Sequence, residues 1–398
     1  MARINYDHGV YYIGEVYEGN PQGYGTLYFP DGSKIIGDFY NERVKGKSIT
    51  SNNTIYEGEF HKGGIVGKVL ISYPNGNKYN GYTKDGLEHG YGTFWYSDGS
   101  WYEGDFYNGY FHGKGTLVYK NGDKYDGDFA NDLFHGKGTL FYANGDKYEG
   151  DFYEGHQNGY GTYWFSSGGW YQGEFQNDDF HGKGTALYQN GAKYEGDFYT
   201  GKENGYGTLW YSDGTWYQGY FKNALFHGKG ARSYINGAKY EGDFYEGIEH
   251  GYGTFWFSYG GWYQGEFKNG KFNGKGTAEY CNGARYEGEY MNNQENGYGT
   301  IWYSDGTWYQ GYFKNALYHG KGTKSYVNGT KYEGDFYEGK EHGFGTYWLN
   351  NDKNEYIAKY TGQIVNGEMH GEGEISYVDG RYFKGEFIHN EPLEDMKI

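Results

Sequence analysis

The sequence predicts an all-β fold: an elongated, twisted, single-layer antiparallel meander of β-hairpins, with about two strands per 23-residue repeat. Three observations carry that prediction. A glycine set in a Tyr-Glu-Gly-Asp-Phe-like element returns at Gly14, Gly37, Gly58, Gly81 and onward to Gly385, almost always with a step of 23 residues. Glycine and tyrosine, 75 and 53 of the 398 residues, are the commonest types. Leu, Ile, Val and Met are too scarce for a packed layered core, while the aromatic content is too high for a disordered chain.

Each repeat reads as two strands. In "YKNGDKY" (119–125) an Asn-Gly pair separates residues of strand character, and that dipeptide favours a two-residue hairpin turn. Asp98-Gly99, Asp213-Gly214 and Asp305-Gly306 occupy the same slot. The second connection, "EGHQNGYG" or "NDLFHGKG", is polar and glycine-rich and reads as a longer loop. A turn centred on Asp98-Gly99 sets Trp95 opposite Tyr102 and Thr93 opposite Gly104. One face then carries Thr93, Trp95, Tyr102, Gly104 and Phe106, and the other carries Phe94, Tyr96, Trp101, Glu103 and Asp105.

Glycine normally weakens a strand, yet an aromatic ring laid across the bare backbone restores the lost contact. In "YEGDFYEGHQNGYGTYWFSSGGW" (148–170) glycine supplies a floor and the aromatics supply its cover. Roughly 34 strands at ~4.8 Å spacing predict a rod on the order of 150 Å, shortened by twist. The array is expected to run continuously over 1–390, irregular at 35–70 and 350–360, with 391–398 as a C-terminal tail. The step is 21 residues at Gly37–Gly58 and 28 at Gly334–Gly362, where the insertion "NNDKNEYIAK" is expected to kink the sheet.

The unit "YEGDFYEGKEHGFGTYW" (332–348) resembles a MORN repeat, with its Y-E-G-x-[FW] and N-G-x-x-H-G-x-G elements. Departures cluster early. Ile36-Gly37 lacks the Tyr, "VKGKS" at 44–48 reads as lacking the second Gly, and "IVGKV" at 65–69 lacks both the His and the second Gly. The resemblance implies a MORN-repeat hairpin solenoid that organises other proteins or membranes. It is closest in kind to repeat-only members such as ciliary radial-spoke-head and flagellar proteins, and it implies a place in an axoneme or another cytoskeletal assembly.

Charge and composition narrow the classes. A net charge of −17 opposes nucleic-acid tracking and opposes, more weakly, contact with anionic membrane. The single cysteine, Cys281, excludes an intramolecular disulfide framework and fits a reducing compartment. The start "MARINYDHGVYYIGEVYEG" lacks a signal-peptide h-region, so a cytoplasmic protein is expected.

Chemistry-bearing motifs repeat too regularly to mark one site. "HGKGT" at His112, His135 and His181 lacks the Gly-Lys-Ser/Thr ending of a phosphate loop. Glu149/Asp151 recurs as Glu103/Asp105, Glu195/Asp197, Glu241/Asp243 and Glu333/Asp335, whereas a catalytic pair needs unlike environments. These acids read as a solvated ladder, relieved by Gln172, Gln218, Gln264 and Gln310. The loop histidines, one per repeat, stand about 10 Å apart across two strands, too far to share a zinc ion. No enzyme, cofactor or metal site is expected.

The tryptophans come in pairs six apart, such as Trp95/Trp101 and Trp210/Trp216, and are expected to point to opposite faces. Trp101, Trp170, Trp216, Trp262 and Trp308, among Tyr188, Tyr211, Tyr234 and Tyr303, form the expected partner-binding face. The competing role for these rings is intramolecular, with Lys–Trp cation–π contacts across strands. Expected partners are proteins of a large assembly, a second repeat chain included. Two further classes stand beside the scaffold: an adaptor touching phospholipid through the lysines of the "HGKG" loops, and a carbohydrate-binding aromatic solenoid.

Overall fold

The computed structural model describes residues 1–351 and 353–393. Among them the chain forms 35 strands, with one 3-10 turn, Asp7–Gly9, between the first two, Ala2–Asn5 and Tyr11–Tyr17. They fall into two compact units, Met1–Lys202 and Glu203–Ile398. Within each unit every strand pairs antiparallel with its neighbours in the chain, without a crossover, so each is a meander one layer thick. The expected all-β hairpin meander with two strands per repeat is the observed fold.

The two connections exchange the roles expected of them. At Ser97-Asp98-Gly99 the Tyr96 amide donates to the Ser100 carbonyl at 2.9 Å, and Gly99 N–H donates to the Tyr96 carbonyl at 3.2 Å. With Gly99 alone at positive φ, this is a three-residue loop closing on a left-handed glycine, not a two-residue turn. The tight two-residue turn lies at the other end. Asn108 and Gly109 have φ of 51° and 86°, as a type I′ turn requires of both central residues. The segment read as a loop is therefore strand up to that turn and strand again after it.

The extra length of that segment is spent on a bulge. Gly104 pairs with Gly115 and Phe106 with Phe111, so Asp105 stands opposite three residues, His112, Gly113 and Lys114. The first glycine of Gly-x-Gly takes the left-handed conformation, with φ of 59° at Gly113. In sister repeats the Asp side chain accepts from the bulge amide, as Asp151 does from Tyr160 N–H at 3.0 Å and Asp243 from Tyr252 N–H at 3.0 Å. The aspartates of "EGD" thus serve the backbone.

The three-residue loop shifts the strand register by one residue from that expected. Trp101 faces Trp95, Tyr102 faces Phe94, Glu103 faces Thr93 and Gly104 faces Gly92. One face, the ring face, carries Phe94, Tyr102, Gly104 and Phe106. The other, the ladder face, carries Thr93, Trp95, Trp101, Glu103 and Asp105.

On the ring face each tyrosine of the "YEG" element lies over two opposed glycines. Tyr102 has no exposed surface, and a Cβ built on Gly104 or Gly115 would come within 2.5 Å of its hydroxyl. Phe111 stacks on Tyr102 at 3.8 Å, while Phe106 and Phe129 meet it edge-on at 5.1 and 5.0 Å. The hydroxyl donates to the Asp105 carbonyl at 2.8 Å, an acceptor that the bulge has taken out of the ladder. Tyr125, Tyr148, Tyr171, Tyr217 and Tyr263 repeat the contact. A floor of glycine and a cover of aromatic ring therefore let one sheet bury a face of its own.

The early repeats depart from this in an instructive way. Gly46 pairs with both Gly37 and Gly58, so it holds the place of the second glycine, contrary to the reading of "VKGKS". What is missing is the bulge, and its two residues account for the 21-residue step. Ile35, at the tyrosine position, joins Tyr12, Phe39, Val44 and Phe60 in a buried cluster instead. In the next repeat Val69 replaces the second glycine and faces Gly81. Its side chain occupies the ring's place, and Tyr56 is only half-buried.

The 350–359 insertion lengthens one hairpin. Strand Lys340–Asn350 pairs with Tyr356–Val365, with one irregularity at Leu349/Asn350. At the chain's end Glu391–Pro392 pairs with Phe387 and Ile388. The remainder of the expected tail, 394–398, lies outside the described residues.

Burial of the phenols makes the fold sensitive to alkali. Removal from water pushes Tyr96, Tyr142 and Tyr360 up to about 12, and raises Tyr102, Tyr125 and Tyr171 further still. An unfolded tyrosine ionises near pH 10. Above that pH the unfolded chain releases protons that the folded chain retains, so stability falls as pH rises. The urea midpoint is expected to be level up to pH 9.5 and to drop steeply between pH 10 and 12. A midpoint unchanged at pH 11.5 would contradict this account.

Candidate functional site

The ladder face presents the groups that water or a partner meets. Each Trp pair shares this face, since Trp164 faces Trp170, Trp210 faces Trp216, Trp256 faces Trp262 and Trp302 faces Trp308. The opposite orientation expected for the two members does not hold, because the odd-numbered loop returns them to one side. The first member of each pair is exposed, as with Trp210 and Trp302, and the second, as with Trp216 and Trp308, is half-buried.

Trp101 and Trp170 thus lie on the ladder face of the first unit, and Trp216, Trp262 and Trp308 on that of the second. Tyr188, Tyr211, Tyr234 and Tyr303 lie on the ring face. Each opens a hairpin loop on the side of the buried "YEG" tyrosines: Arg232 pairs with Tyr240, so Tyr234, two residues on, shares that face. Tyr234 bonds Glu249 there, and the Tyr303 hydroxyl meets that of Tyr318 at 2.5 Å. The grouping of these tyrosines with the tryptophans is corrected by the one-residue shift, which moves a whole strand side to side.

Sequence reasoning missed a second aromatic row on the ladder face. Where "GKG" becomes "GYG", the central residue is an exposed ring: Tyr24, Tyr91 and Tyr160 in the first unit, and Tyr206, Tyr252 and Tyr298 in the second. Tyr220 and Tyr312 stand beside Tyr206 and Tyr298, edge-on at 5.4 Å. The signal was legible as the alternation of Lys and Tyr between two glycines.

Lysine and acid alternate between these rings. Lys114 meets Asp128 at 2.7 Å, Lys229 meets Asp243 at 2.7 Å and Lys321 meets Asp335 at 2.8 Å. The acidic ladder is thus interleaved with cations and not solely solvated. Lys147 sits 4.5 Å over Trp164 and Lys331 5.0 Å over Trp348, so the expected cation–π contacts are present. Histidines of the "HGKG" elements pack on tyrosines, His135 on Tyr153 and His227 on Tyr245.

This chemistry is interfacial. Large rings with polar tips stand in rows, rimmed by ion pairs that individually contribute little to stability. The repeated carboxylates have neighbours of one kind from repeat to repeat, which gives none of them the distinct environment a general acid needs.

The ALS2 C-terminal-like protein of Bos taurus is 34% identical over 88 residues, covering 20% of this chain and 9% of that protein. Alsin of Rattus norvegicus is 30% identical over 89 residues, covering 20% of this chain and 5% of its own. The matched region thus spans less than a tenth of the length of these curated relatives. Among solved structures, the TCP10 domain of Danio rerio CPAP in complex with a STIL peptide aligns with a TM-score of 0.26 at 14% identity, over 58% of this chain and 93% of that domain. The TCP10c domain of Drosophila melanogaster Sas-4 aligns with a TM-score of 0.24 at 14% identity, over 45% and 99%. Likenesses this slight carry no argument. The family described as MORN repeat matches fourteen segments, from 12–34 and 79–101 through 332–353 and 360–380. The matches leave out 35–78, where Ile35, the absent bulge and Val69 interrupt the glycine–tyrosine unit. Repeat period, glycine floor and tyrosine cover together establish that this chain belongs to the MORN-repeat family.

Proposed function

We propose that the chain is a non-enzymatic scaffold whose ladder face holds a protein partner. The MORN repeat is a structural and interaction repeat, and one observation carries the finer reading. The exposed Trp and Tyr rows of the ladder face, Trp210, Trp256 and Trp302 with Tyr206, Tyr252 and Tyr298, are set among lysine–aspartate pairs. Aromatic anchors within a charged rim are the residue types that dominate binding energy at protein interfaces.

A ciliary axoneme, in a part like a radial-spoke head, or another cytoskeletal assembly is the proposed setting, in the cytoplasm. Its support is the likeness to repeat-only family members. Pairing of the loop lysines with aspartates lowers their pull on anionic lipid, which favours a protein partner over a membrane.

The test replaces Trp210, Trp256 and Trp302 together by Ser. These rings are exposed on the ladder face, away from the buried tyrosines, so the sheet is expected to fold. Partner recovery from a ciliated-cell extract is expected to fall at least tenfold, with the far-ultraviolet spectrum unchanged. Undiminished recovery by the folded variant would remove this face from the mechanism. A tagged copy absent from cilium and cytoskeleton would refute the proposed setting while leaving the face intact.

A further inference from the structure

In the second unit glutamates recur at a 46-residue step, Glu203, Glu249, Glu295 and Glu341, and the last three lie on the ring face. Each of these three is bonded by the tyrosine of the preceding loop, Tyr234, Tyr280 and Tyr326 respectively. Two also hold a cation from within the chain. Arg232 reaches Glu249 at 3.5 Å with its guanidinium 4.8 Å over the Tyr234 ring. Lys324 reaches Glu341 at 3.0 Å with its ammonium 4.5 Å over the Tyr326 ring. The equivalent residue beside Glu295, at the same 46-residue step, is Ala278, as Ala186 is in the repeat of Glu203.

Ala278 leaves space as well as a missing charge. A cavity of about 580 Å³ opens there, lined by Ala278, Glu295, Phe255, Phe257, Tyr259 and Phe272. At the equivalents of Phe255, Phe257 and Tyr259 the neighbouring repeats carry Leu209, Tyr211 and Asp213, or Ile301, Tyr303 and Asp305, so the wholly aromatic wall belongs to this site. Tyr290 replaces a phenylalanine found at 244 and 336, and its hydroxyl stands 3.5 Å from that of Tyr280. Among the described residues no Lys, Arg or His lies within ion-pair distance of Glu295.

We propose that the Glu295 cavity receives an arginine or lysine side chain of a partner protein, which takes the place that Arg232 and Lys324 occupy in the sister repeats. A carboxylate under aromatic walls attracts a cation by direct charge and by the ring faces at once, and a guanidinium stacks on such rings with little loss of hydration. The sister sites show that this fold holds a cation in that geometry. The proposal goes beyond the scaffold reading and concerns the opposite face of the sheet, so either can fail without the other.

The test uses the full chain with N-acetyl-arginine methylamide as probe and its citrulline counterpart as an isosteric neutral control, followed by saturation-transfer NMR. Binding of the arginine probe is expected to exceed that of citrulline at least tenfold. Glu295→Gln is expected to weaken it about tenfold, the loss of one charge-assisted contact. Ala278→Arg supplies the cation internally, as in the repeat of Arg232, and is expected to abolish probe binding in a folded chain whose melting temperature is unchanged or raised. Equal binding of arginine and citrulline overturns the proposal, as does full binding by Ala278→Arg. Tighter binding of free agmatine than of the blocked residue would assign the cavity to a small cationic metabolite, and would overturn the claim of a protein side chain.

Discussion

Gly161→Ala is expected to lower the stability of its hairpin by about 3 kcal/mol, the upper range for overpacking a well-filled site. The strand around Gly161 is extended, so the added methyl costs no backbone strain. The cost is steric. A Cβ there would stand 2.5 Å from the ring and hydroxyl of Tyr148, which has no exposed surface and is fixed edge-on by Phe152 and Phe175. The ring must leave, and the Asp151 carbonyl then loses its donor. Gly58→Ala is the matched control. In its own repeat it is the equivalent of Gly150, the glycine opposite Gly161, with Val69 standing where Gly161 would be, and its nearest neighbours would be the Lys68 carbonyl at 3.3 Å and a Val69 methyl at 3.6 Å. That substitution is expected to cost under about 1 kcal/mol. Amide exchange over 147–176 and 55–84, compared with the parent chain, measures both. Equal losses at the two glycines would mean that the ring over the backbone is not what holds the repeat.

Tyr171→Ala is expected to cost about 3–5 kcal/mol, the range for deleting a buried aromatic. Tyr171 stacks on Phe180 at 4.0 Å and meets Phe175 and Phe198 edge-on, so removing it strips three rings of their common partner. Tyr171→Phe isolates the hydroxyl. It meets the Glu174 carbonyl at 2.8 Å and the His181 carbonyl at 3.1 Å, beside the register shift after Gly173. Loss of the hydroxyl's hydrogen bond is expected to cost about 1 kcal/mol. Phe383, which takes the tyrosine's place over Gly385, shows that the ring alone still packs. Because strands pack on their chain neighbours, exchange protection should fall within about one repeat on either side and be retained beyond. Uniform loss of protection along the unit would contradict that local account, and a Phe variant as damaging as Ala would deny the ring its separate role.

Much of this was legible because a 23-residue period states the same local solution many times. Tyr102 and Gly104 are two apart on a strand and must share a face whatever the register, so a ring over bare backbone followed from their spacing. The Trp–Lys contacts followed in the same way from residues directly across a hairpin. The early departures at Ile35 and Val69 were visible as broken motifs, although which glycine was missing from "VKGKS" was not. Glycine identity alone does not say whether a position is a left-handed bulge or an extended floor.

The candidate site was less legible. Asp98-Gly99 is compatible with a two-residue turn or with a three-residue loop ending in a left-handed glycine. The choice depends on how the flanking strands twist and on the bulge at the far end of the hairpin. That choice decided whether Trp95 and Trp101 share a side and whether Tyr234 joins them. It also placed Tyr234 beside Glu249, 15 residues away, and so exposed the empty equivalent at Glu295.

The repeat, its hairpins and the pairing of tyrosine with glycine were determined by sequence alone, because each depends on residues a few positions apart. The assignment of every side chain to its face, and with it the cation-short cavity beside Ala278, was decided only by tertiary structure. A strand's side chains alternate with a period of two, so one residue gained or lost in a turn exchanges inside for outside along its whole length.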